Sequence, residues 1–378
     1  MFQITMLPAD DGDCFLIETG PPPHRILVDG GRAATARGPL AEVLATLPSR
    51  AGPTVDLMVL THFDADHIEG LLDLIQAPPR GFDVGEVWFN GYNQTRIAAG
   101  KPSLRLPRAA PRFNDAQRGP TAVLSAGQAT AFEAAVRRAG WRWNTSLPDG
   151  AAMVGENAPL PSVTLSSGAK LTLLGPPRHK LAALLDKWSR VGPAAAEVET
   201  AVLGRGGPRA PTAPTLETMA SLAIQRDHPD ESPPNGASIT FALEHLSRSA
   251  VFGADAHPED FASGLVRYSA ANRSPFDAIK TPHHGSAANN TSALLEVLRG
   301  RIWLISTDGS RHGLPDPEAL ARIVMTPGAD KRLVFNSRNA RTLPWAAREI
   351  TDAFGFRAEF PPADNAAVVI DLEEPTAG

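Results

Sequence analysis

The sequence predicts an α/β protein built as a layered sandwich of sheets and helices. Three observations lead there. Short apolar strands arrive early and close together, before any long helix, which suits a layered sheet better than a strict βαβ repeat. Residues able to do chemistry collect just past strand ends, where open α/β sheets place their ligands. Finally, 43% of the 378 residues are hydrophobic, ample for a packed core.

Taken in order, residues 2–7 and 14–18 read as strands around the acidic turn Pro8-Ala9-Asp10-Asp11-Gly12-Asp13. Residues 25–29 give a third strand, ending in Asp29-Gly30-Gly31, a sharp turn that needs unusual backbone angles. A helix over 39–47 leads to strand 55–60, and a helix over 66–75 leads to strand 84–89. Residues 90–124 read as irregular. They carry Arg96, Lys101, Arg105, Arg108, Arg112 and Arg118 against one acid, Asp115, which suits either a guide for a phosphate backbone or a solvated loop. An amphipathic helix over 127–139 groups Phe132, Ala135 and Val136 and stops at Gly140. Strands 163–165 and 170–174 follow, then helices over 178–190 and 194–203 and a spacer over 204–214. Residues 239–243 and 250–252 form a hairpin ending in Gly253-Ala254-Asp255. Strand 276–282 leads into His283-His284-Gly285-Ser286, and strand 302–306 leads towards Asp308 and His312. A helix over 317–324 and strands 332–335 and 366–372 complete the chain.

Composition excludes several classes. The longest apolar runs, Leu57 to Leu60 and Ala366 to Ile370, fall far short of the roughly 18 residues of a membrane span. The N-terminal residues lack a basic segment followed by a long apolar one, so no signal peptide is expected. Cys14 is the only cysteine, which precludes an internal disulfide and suits a reducing, cytoplasmic setting. A net charge of −5 argues against a generally basic nucleic-acid binder, though not against a local basic patch. Nothing in the composition identifies a protein partner.

The chemistry centres on residues 56–70. An apolar strand ends at Thr61, and His62, Asp64, Asp66 and His67 follow within six residues. Crowded like charges of this kind are costly unless a cation offsets them. Asp255 and the pair His283/His284 stand past later strand ends, and Asp308 and His312 past a fourth. Of ten histidines, five lie in these turns. Two metal ions a few ångströms apart with a carboxylate between them can clamp a phosphoryl group and activate water, and the donors here suffice in number.

The segment from Thr61 to Gly70 resembles the signature of the metallo-β-lactamase superfamily, usually H-x-H-x-D-H. With Asp64 at the second position it is similar to the ComEC-type branch, which includes the C-terminal domain of bacterial DNA-uptake channel proteins and many standalone hydrolases. Gly12-Asp13-Cys14, Ile26-Leu27-Val28-Asp29-Gly30-Gly31, Asn235-Gly236-Ala237-Ser238, Gly253-Ala254-Asp255 and Lys280-Thr281-Pro282-His283-His284-Gly285-Ser286 resemble further motifs of that branch, in the same order. The resemblance implies a four-layer αββα sandwich, residues 1–378 as one domain, with an extended insertion at about 90–234. It implies two divalent ions, zinc or manganese. His62 and Asp64 would bind the first, Asp66 and His67 the second, with Asp255 bridging. His283 would complete the second site, and His284 would be an alternate ligand or phosphate contact. His312, Asn235 and Ser286 would join His284 in substrate binding.

The chain departs from the pattern at Leu173-Leu174-Gly175-Pro176, where the superfamily usually supplies another histidine. The first metal therefore lacks an obvious third terminal ligand, and the second is expected to be tighter. Asp64 adds a hard oxygen donor, which favours manganese relative to an all-histidine site. The expected activity is a metal-dependent phosphodiesterase or nuclease with Asp66 orienting or deprotonating the nucleophile. Alternatives are hydrolysis of a small ester (a lactone, thioester or phosphorylcholine ester) and a catalytically impaired sensor or partner-binding module.

Overall fold

The computed structural model describes residues 1–48, 50–104, 121–190, 213–225, 228–270 and 275–373. Six strands come first: β1 Phe2–Met6, β2 Phe15–Thr19, β3 His24–Val28, β4 Val55–Val59, β5 Val84–Trp88 and β6 Arg142–Trp143. Eight more form a second sheet: β7 Ser162–Thr164, β8 Lys170–Gly175, β9 Thr240–His245, β10 Arg248–Phe252, β11 Phe276–Lys280, β12 Gly300–Ile305, β13 Lys331–Phe335 and β14 Phe356–Glu359. The last strand, β15 Val368–Asp371, returns to the first sheet and gives it the order β15-β1-β2-β3-β4-β5-β6. The second sheet runs β14-β13-β12-β11-β10-β9-β8-β7.

Alternation along the strands makes the layers. Phe2, Ile4, Met6, Phe15 and Ile17 of the first sheet share one buried cluster with Leu171, Leu173, Phe241, Leu243 and Phe252 of the second. Phe15 meets Phe252 edge-on at 5.7 Å between ring centroids, and Phe252 stacks on Phe241 at 5.0 Å. Truncating one such ring to alanine costs about 3–5 kcal/mol. The alternate residues Leu16, Leu27, Met58 and Val87 face outward into a cluster that includes Ile68, Leu71 and Leu72 of the helix Ala65–Gln76 and Phe132 of the helix Thr121–Ala139. On the far side Val251, Ile279, Trp303 and Leu333 pack with Phe261 and Leu265 of the helix Pro258–Ser269 and Leu320 of the helix Pro317–Met325. The result is the αββα order the sequence predicts.

Each sheet changes strand direction, and this positions the site. β15, β1, β2 and β3 pair antiparallel, whereas β3, β4, β5 and β6 run parallel. In the second sheet β7 to β10 are antiparallel and β10 to β14 parallel. The C-terminal ends of β3 and β4 thus lie together at one end of the first sheet, and those of β10, β11 and β12 at one end of the second.

Several parts differ from the sequence expectation or add to it. Within the stretch read as irregular, Tyr92–Ala98 is a helix. It has no long apolar period; its first turn is held from outside by Glu133 Oε1, which accepts from Tyr92 N at 2.5 Å, and from within by Gln94 Oε1, which accepts from Gly91 N at 3.2 Å. The helices Pro258–Ser269 and Arg348–Phe354 are also additional, although Pro258 and the spacing of Phe261, Leu265 and Tyr268 signal the first of them. The stretch 90–234 supplies β6, β7 and β8, so its strands extend both sheets. Arg105, Arg108, Arg112, Asp115 and Arg118, most of the 204–214 spacer and the expected helix 194–203 lie outside the described residues. Among the described residues no helix is long and apolar enough to cross a membrane.

Candidate metal centre

Three glycines allow the loops to close on one another. Gly12 lies against the Asp66 carbonyl, where a Cβ would sit 1.8 Å from the oxygen. Gly30 and Gly70 face each other so closely that a Cβ on Gly70 would lie 1.9 Å from Gly30 O. Backbone bonds then tie the turns to the start of the helix Ala65–Gln76: Gly30 N donates to His67 O at 2.9 Å, Gly70 N to Gly31 O at 2.9 Å, and Gly31 N to Asp13 O at 2.7 Å. On the other sheet, Ala254, His283, His284 and Gly285 all have positive φ (44°, 45°, 54° and 85°). Two successive histidines held in this region are a strained arrangement of the kind found at functional sites.

Four imidazoles converge. His62, His67 and His284 are buried, and among the described residues the Nε2 atom of each lacks a hydrogen-bond partner. The atoms face one carboxylate oxygen, Asp255 Oδ2, at 3.8 Å from His62, 3.4 Å from His67 and 3.5 Å from His284; His283 Nε2 is 3.6 Å from it. Asp66 Oδ2 stands 3.4 Å from His284 Nε2 and 3.8 Å from His67 Nε2, and Asp64 Oδ2 stands 3.7 Å from His62 Nε2. Asp64 occupies the N-cap position of its helix but makes no capping bond with its side chain.

The opposite nitrogen of each ring is committed. His67 Nδ1 meets Asp29 Oδ2 at 2.9 Å, and His284 Nδ1 meets the Ser306 carbonyl at 2.8 Å. His283 Nδ1 meets Asn289 Oδ1 at 2.7 Å, and the Asn289 amide is itself spent on Asp230 and the Asp255 and Ala256 carbonyls. His62 Nδ1 lies 3.1 Å from Thr61 Oγ1, whose own hydroxyl donates to Asp29 at 2.8 Å. All four acceptors select the tautomer with hydrogen on Nδ1, which leaves the Nε2 lone pairs directed at the cluster. Donors that each lie about 2.1 Å from a tetrahedral ion are separated by about 3.4 Å. The 3.4–3.8 Å separations, too long for good hydrogen bonds, fit donors that share cations.

Charge balance agrees. Burial would discharge the groups, but their neighbours prevail in most cases. Burial and the adjacent His67 lower His62 to about 3. His67 and His284 are held well above the ordinary histidine range, because Asp255 and other carboxylates outweigh burial, and His283 is raised to about 8 for the same reason. Asp66 and Asp255 are held far below the ordinary carboxylate range by the facing histidines despite burial. Partial burial and the Asp66 and Asp255 charges push Asp64 up to about 7. Without a cation, protons on the imidazoles supply the positive charge that the carboxylates demand.

The geometry reassigns one expected relationship. Sequence reasoning grouped His283 with Asp66 and His67, whereas His284 lies against Asp66 in the structure and His283 reaches the cluster through Asp255. The other expected residues take distinct places. Asn235 is buried and donates to Asp230 Oδ2 at 2.7 Å, while the Ser286 amide caps the His283 carbonyl at 2.8 Å. His312 is half-exposed on the rim, with Nε2 4.0 Å from Asp11 Oδ2, a carboxylate doubly bonded by Arg32 at 2.6 and 2.7 Å. Asp308 is tied to the same rim by its amide, 2.8 Å from Asp10 O. β8 ends at Gly175, and the residues from Leu173 to Pro176 at that end include no histidine.

Sequence reasoning missed the residues behind the ligands: Asp13, Asp29, Asp230, Lys280 and Asn289. Asp13 comes within the same 4.8 Å cluster as His67, Asp255 and His284. It approaches the Nδ1 sides of the rings, at 3.9 Å from His67 and 3.3 Å from His284, and is paired with Lys280. The unpartnered Nε2 atoms face away from it, so Asp13 backs the cluster. The glycine-flanked placing of Asp13 and Asp29 was the available signal.

Residues 7–79, which carry β2 to β4 and the helix with Asp66 and His67, match the family model described as the metallo-β-lactamase superfamily. The two sheets with helices on their outer faces are consistent with that superfamily's fold. Among curated proteins no sequence match was found. The chain is similar to the solved structure of Zn²⁺-bound PqqB from Methylobacterium extorquens, at 11% identity over 98% of this chain and 100% of that chain, with a TM-score of 0.42. It is also similar to CmlA, a diiron β-hydroxylase from Streptomyces venezuelae (13%, 98% and 54%, 0.39), and to the metallo-β-lactamase fold protein YhfI from Bacillus subtilis (9%, 98% and 100%, 0.35).

Proposed function

We propose that the protein is a metal-dependent hydrolase of the ComEC-type branch that cleaves phosphodiester bonds in a nucleic acid or nucleotide, in the cytoplasm. The observation that carries this reading is the convergence of four imidazole Nε2 atoms on Asp255 Oδ2. His62, Asp64 and His283 would hold one divalent ion, Asp66, His67 and His284 the other, with Asp255 between them. When bound, such ions supply Lewis acidity that polarises a phosphoryl oxygen and makes water a competent nucleophile near neutral pH. Zinc and manganese both suit this donor set, and the three carboxylates favour manganese more than an all-histidine site would.

The protein's own contribution is position and charge. Asp66, kept ionised by His67 and His284, would orient the nucleophile or take its proton. Arg32, Arg311 and His312 gather on Asp11 at one side of the centre, where the two guanidinium groups could meet a phosphate. Asp64, with 34% of its side chain exposed, and His283, with 26%, leave the opposite half open to solvent.

The test is a cleavage screen of purified protein supplemented with Mn²⁺ or Zn²⁺. Its substrates are bis-p-nitrophenyl phosphate, labelled single-stranded DNA and RNA, and simple carboxylic esters, with an Asp66→Ala/His67→Ala variant as control. Phosphodiester cleavage lost in the variant is expected. Ester cleavage alone, or full activity in the variant, would refute the reading.

A further inference from the structure

Lys280 is a buried charged side chain beside the candidate metal centre that the proposed chemistry does not use. It is a buried ammonium at the end of β11, three residues before His283. Its Nζ makes a very short contact with Asp13 Oδ2, lies 3.5 Å from Asp255 Oδ1 and donates to the Ala254 carbonyl at 3.1 Å. The two oxygens of Asp255 therefore have separate duties: Oδ1 turns to Lys280, and Oδ2 faces the four imidazoles. Asp13, the other partner of Lys280, lies 3.3 Å from His284 Nδ1 with its Oδ1, which otherwise has no hydrogen-bond partner among the described residues. One lysine thus links the bridging carboxylate on the second sheet to a carboxylate in the loop between β1 and β2 of the first. That loop is itself anchored to the ligand-bearing helix, since Asp13 N donates to Asp66 O at 3.3 Å.

We propose that Lys280 and Asp13 are positioning residues that set the metal affinity of the centre, by reserving Asp255 Oδ1 so that Oδ2 alone is presented to the cations and by backing His284 from its Nδ1 side. The proposal rests on the metal-centre reading given above. A lysine that served only to neutralise buried acid would need no particular carboxylate oxygen. Here it touches the oxygen that the imidazoles do not face, and the carbonyl of the preceding residue fixes its approach. Groups behind metal ligands commonly alter affinity by about 10–100-fold when removed.

The experiment uses the full chain and reads metal binding directly. Wild type, Asp13→Asn and Asp13→Asn/Lys280→Met are stripped with chelator. Each is then titrated with Mn²⁺ and with Zn²⁺ by calorimetry, and bound metal is counted after dialysis. Lys280→Met alone leaves two buried carboxylates unbalanced and is expected to fold poorly; the double variant removes both charges of the pair, a replacement that buried ion pairs often tolerate. Circular dichroism and thermal unfolding establish that the variants are folded. The expected result is folded variants with metal affinity reduced about tenfold or more, most in the double variant. Folded variants that bind metal as wild type does would overturn the positioning role while leaving the metal centre intact. A wild-type chain that binds neither ion would remove the metal centre and this inference with it.

Discussion

The two halves of the candidate metal cluster are built differently. The half formed by Asp66, His67 and His284 is deep: both imidazoles are buried, and their Nδ1 atoms are fixed by the Asp29 carboxylate and the Ser306 carbonyl. The half formed by His62, Asp64 and His283 is looser. His62 leans on a threonine hydroxyl, His283 on an asparagine amide oxygen, and Asp64 and His283 are partly exposed. A carboxylate behind an imidazole raises its basicity and fixes its orientation more strongly than a neutral oxygen does. The difference teaches that one cluster can set a preorganised group of donors beside a more exposed group, with both facing Asp255 Oδ2.

The largest effect should come from dismantling the deep half. Asp66→Ala/His67→Ala should lower phosphodiesterase activity by about three orders of magnitude, corresponding to about 4 kcal/mol of lost stabilisation, and should abolish tight metal binding. Asp64→Asn should cost about tenfold to a hundredfold and spare one tight ion. Kinetics and metal counting on the same preparations check both, and equal losses would break the comparison. Chelator titration of the wild type should likewise remove metal in two steps. An unsupplemented preparation should retain the deep ion alone; two ions of equal affinity would contradict the asymmetry.

A second prediction concerns Asp29, which lies behind the deep half. It accepts from His67, from the Thr61 hydroxyl and from the Thr61 amide at 2.8 Å. Asp29→Asn should weaken the tight ion about 10–100-fold while leaving the looser one near its wild-type affinity. Isothermal titration resolves the two. An equal effect on both ions would mean that Asp29 acts through the Thr61–His62 backbone more than through His67.

These residues also show what the sequence made legible. The early strands, the helix after the first motif and the donor types at His62, Asp64, Asp66, His67 and Asp255 follow from local patterns: apolar alternation, turn chemistry and donor spacing. The division of labour between His283 and His284 does not, because it depends on both taking positive φ and on β11 lying beside β10. Asp230 is less legible still. It has no motif around it, and it meets His283 only because Asn235 and Asn289 hold its carboxylate, at 2.7 and 3.0 Å. The helix Tyr92–Ala98 is equally non-local, since its first turn depends on Glu133. Sequence pattern reports which residues have donor atoms; partners brought from distant segments decide where each donor comes to lie.

Proton coupling gives a smaller effect that spans both halves. His67, His283 and His284 hold protons more strongly than free histidine in the metal-free chain, and each must lose one before Nε2 can ligate. Metal affinity should therefore rise with pH through about 8, the value for His283, and binding at pH 7 should release protons. Calorimetry in buffers of different ionisation enthalpy measures that release. Affinity that does not change between pH 6 and 9 would show that the imidazoles are already neutral.

The smallest predicted change isolates the looser half. Burial alone would lower His283, but Asp255 and Asp230 raise it to about 8. A histidine whose folded value lies above its unfolded one contributes stability that is fully present below the unfolded value, near 6.5, and is lost as pH rises through the folded value. Asp230→Asn removes one of the two carboxylates and keeps a hydrogen-bonding side chain of the same shape. In the metal-free chain the variant should be less stable than wild type below about pH 6.5, and the gap should close above about pH 8. The His283 ring proton, followed by NMR, should titrate at lower pH in the variant. Metal affinity should change less than for Asp29→Asn, because Asn289 Oδ1 at 2.7 Å, not Asp230 at 3.5 Å, is the nearer acceptor for His283 Nδ1. An Asp230→Asn effect as large as that of Asp29→Asn would place a carboxylate behind both halves and erase the asymmetry between them.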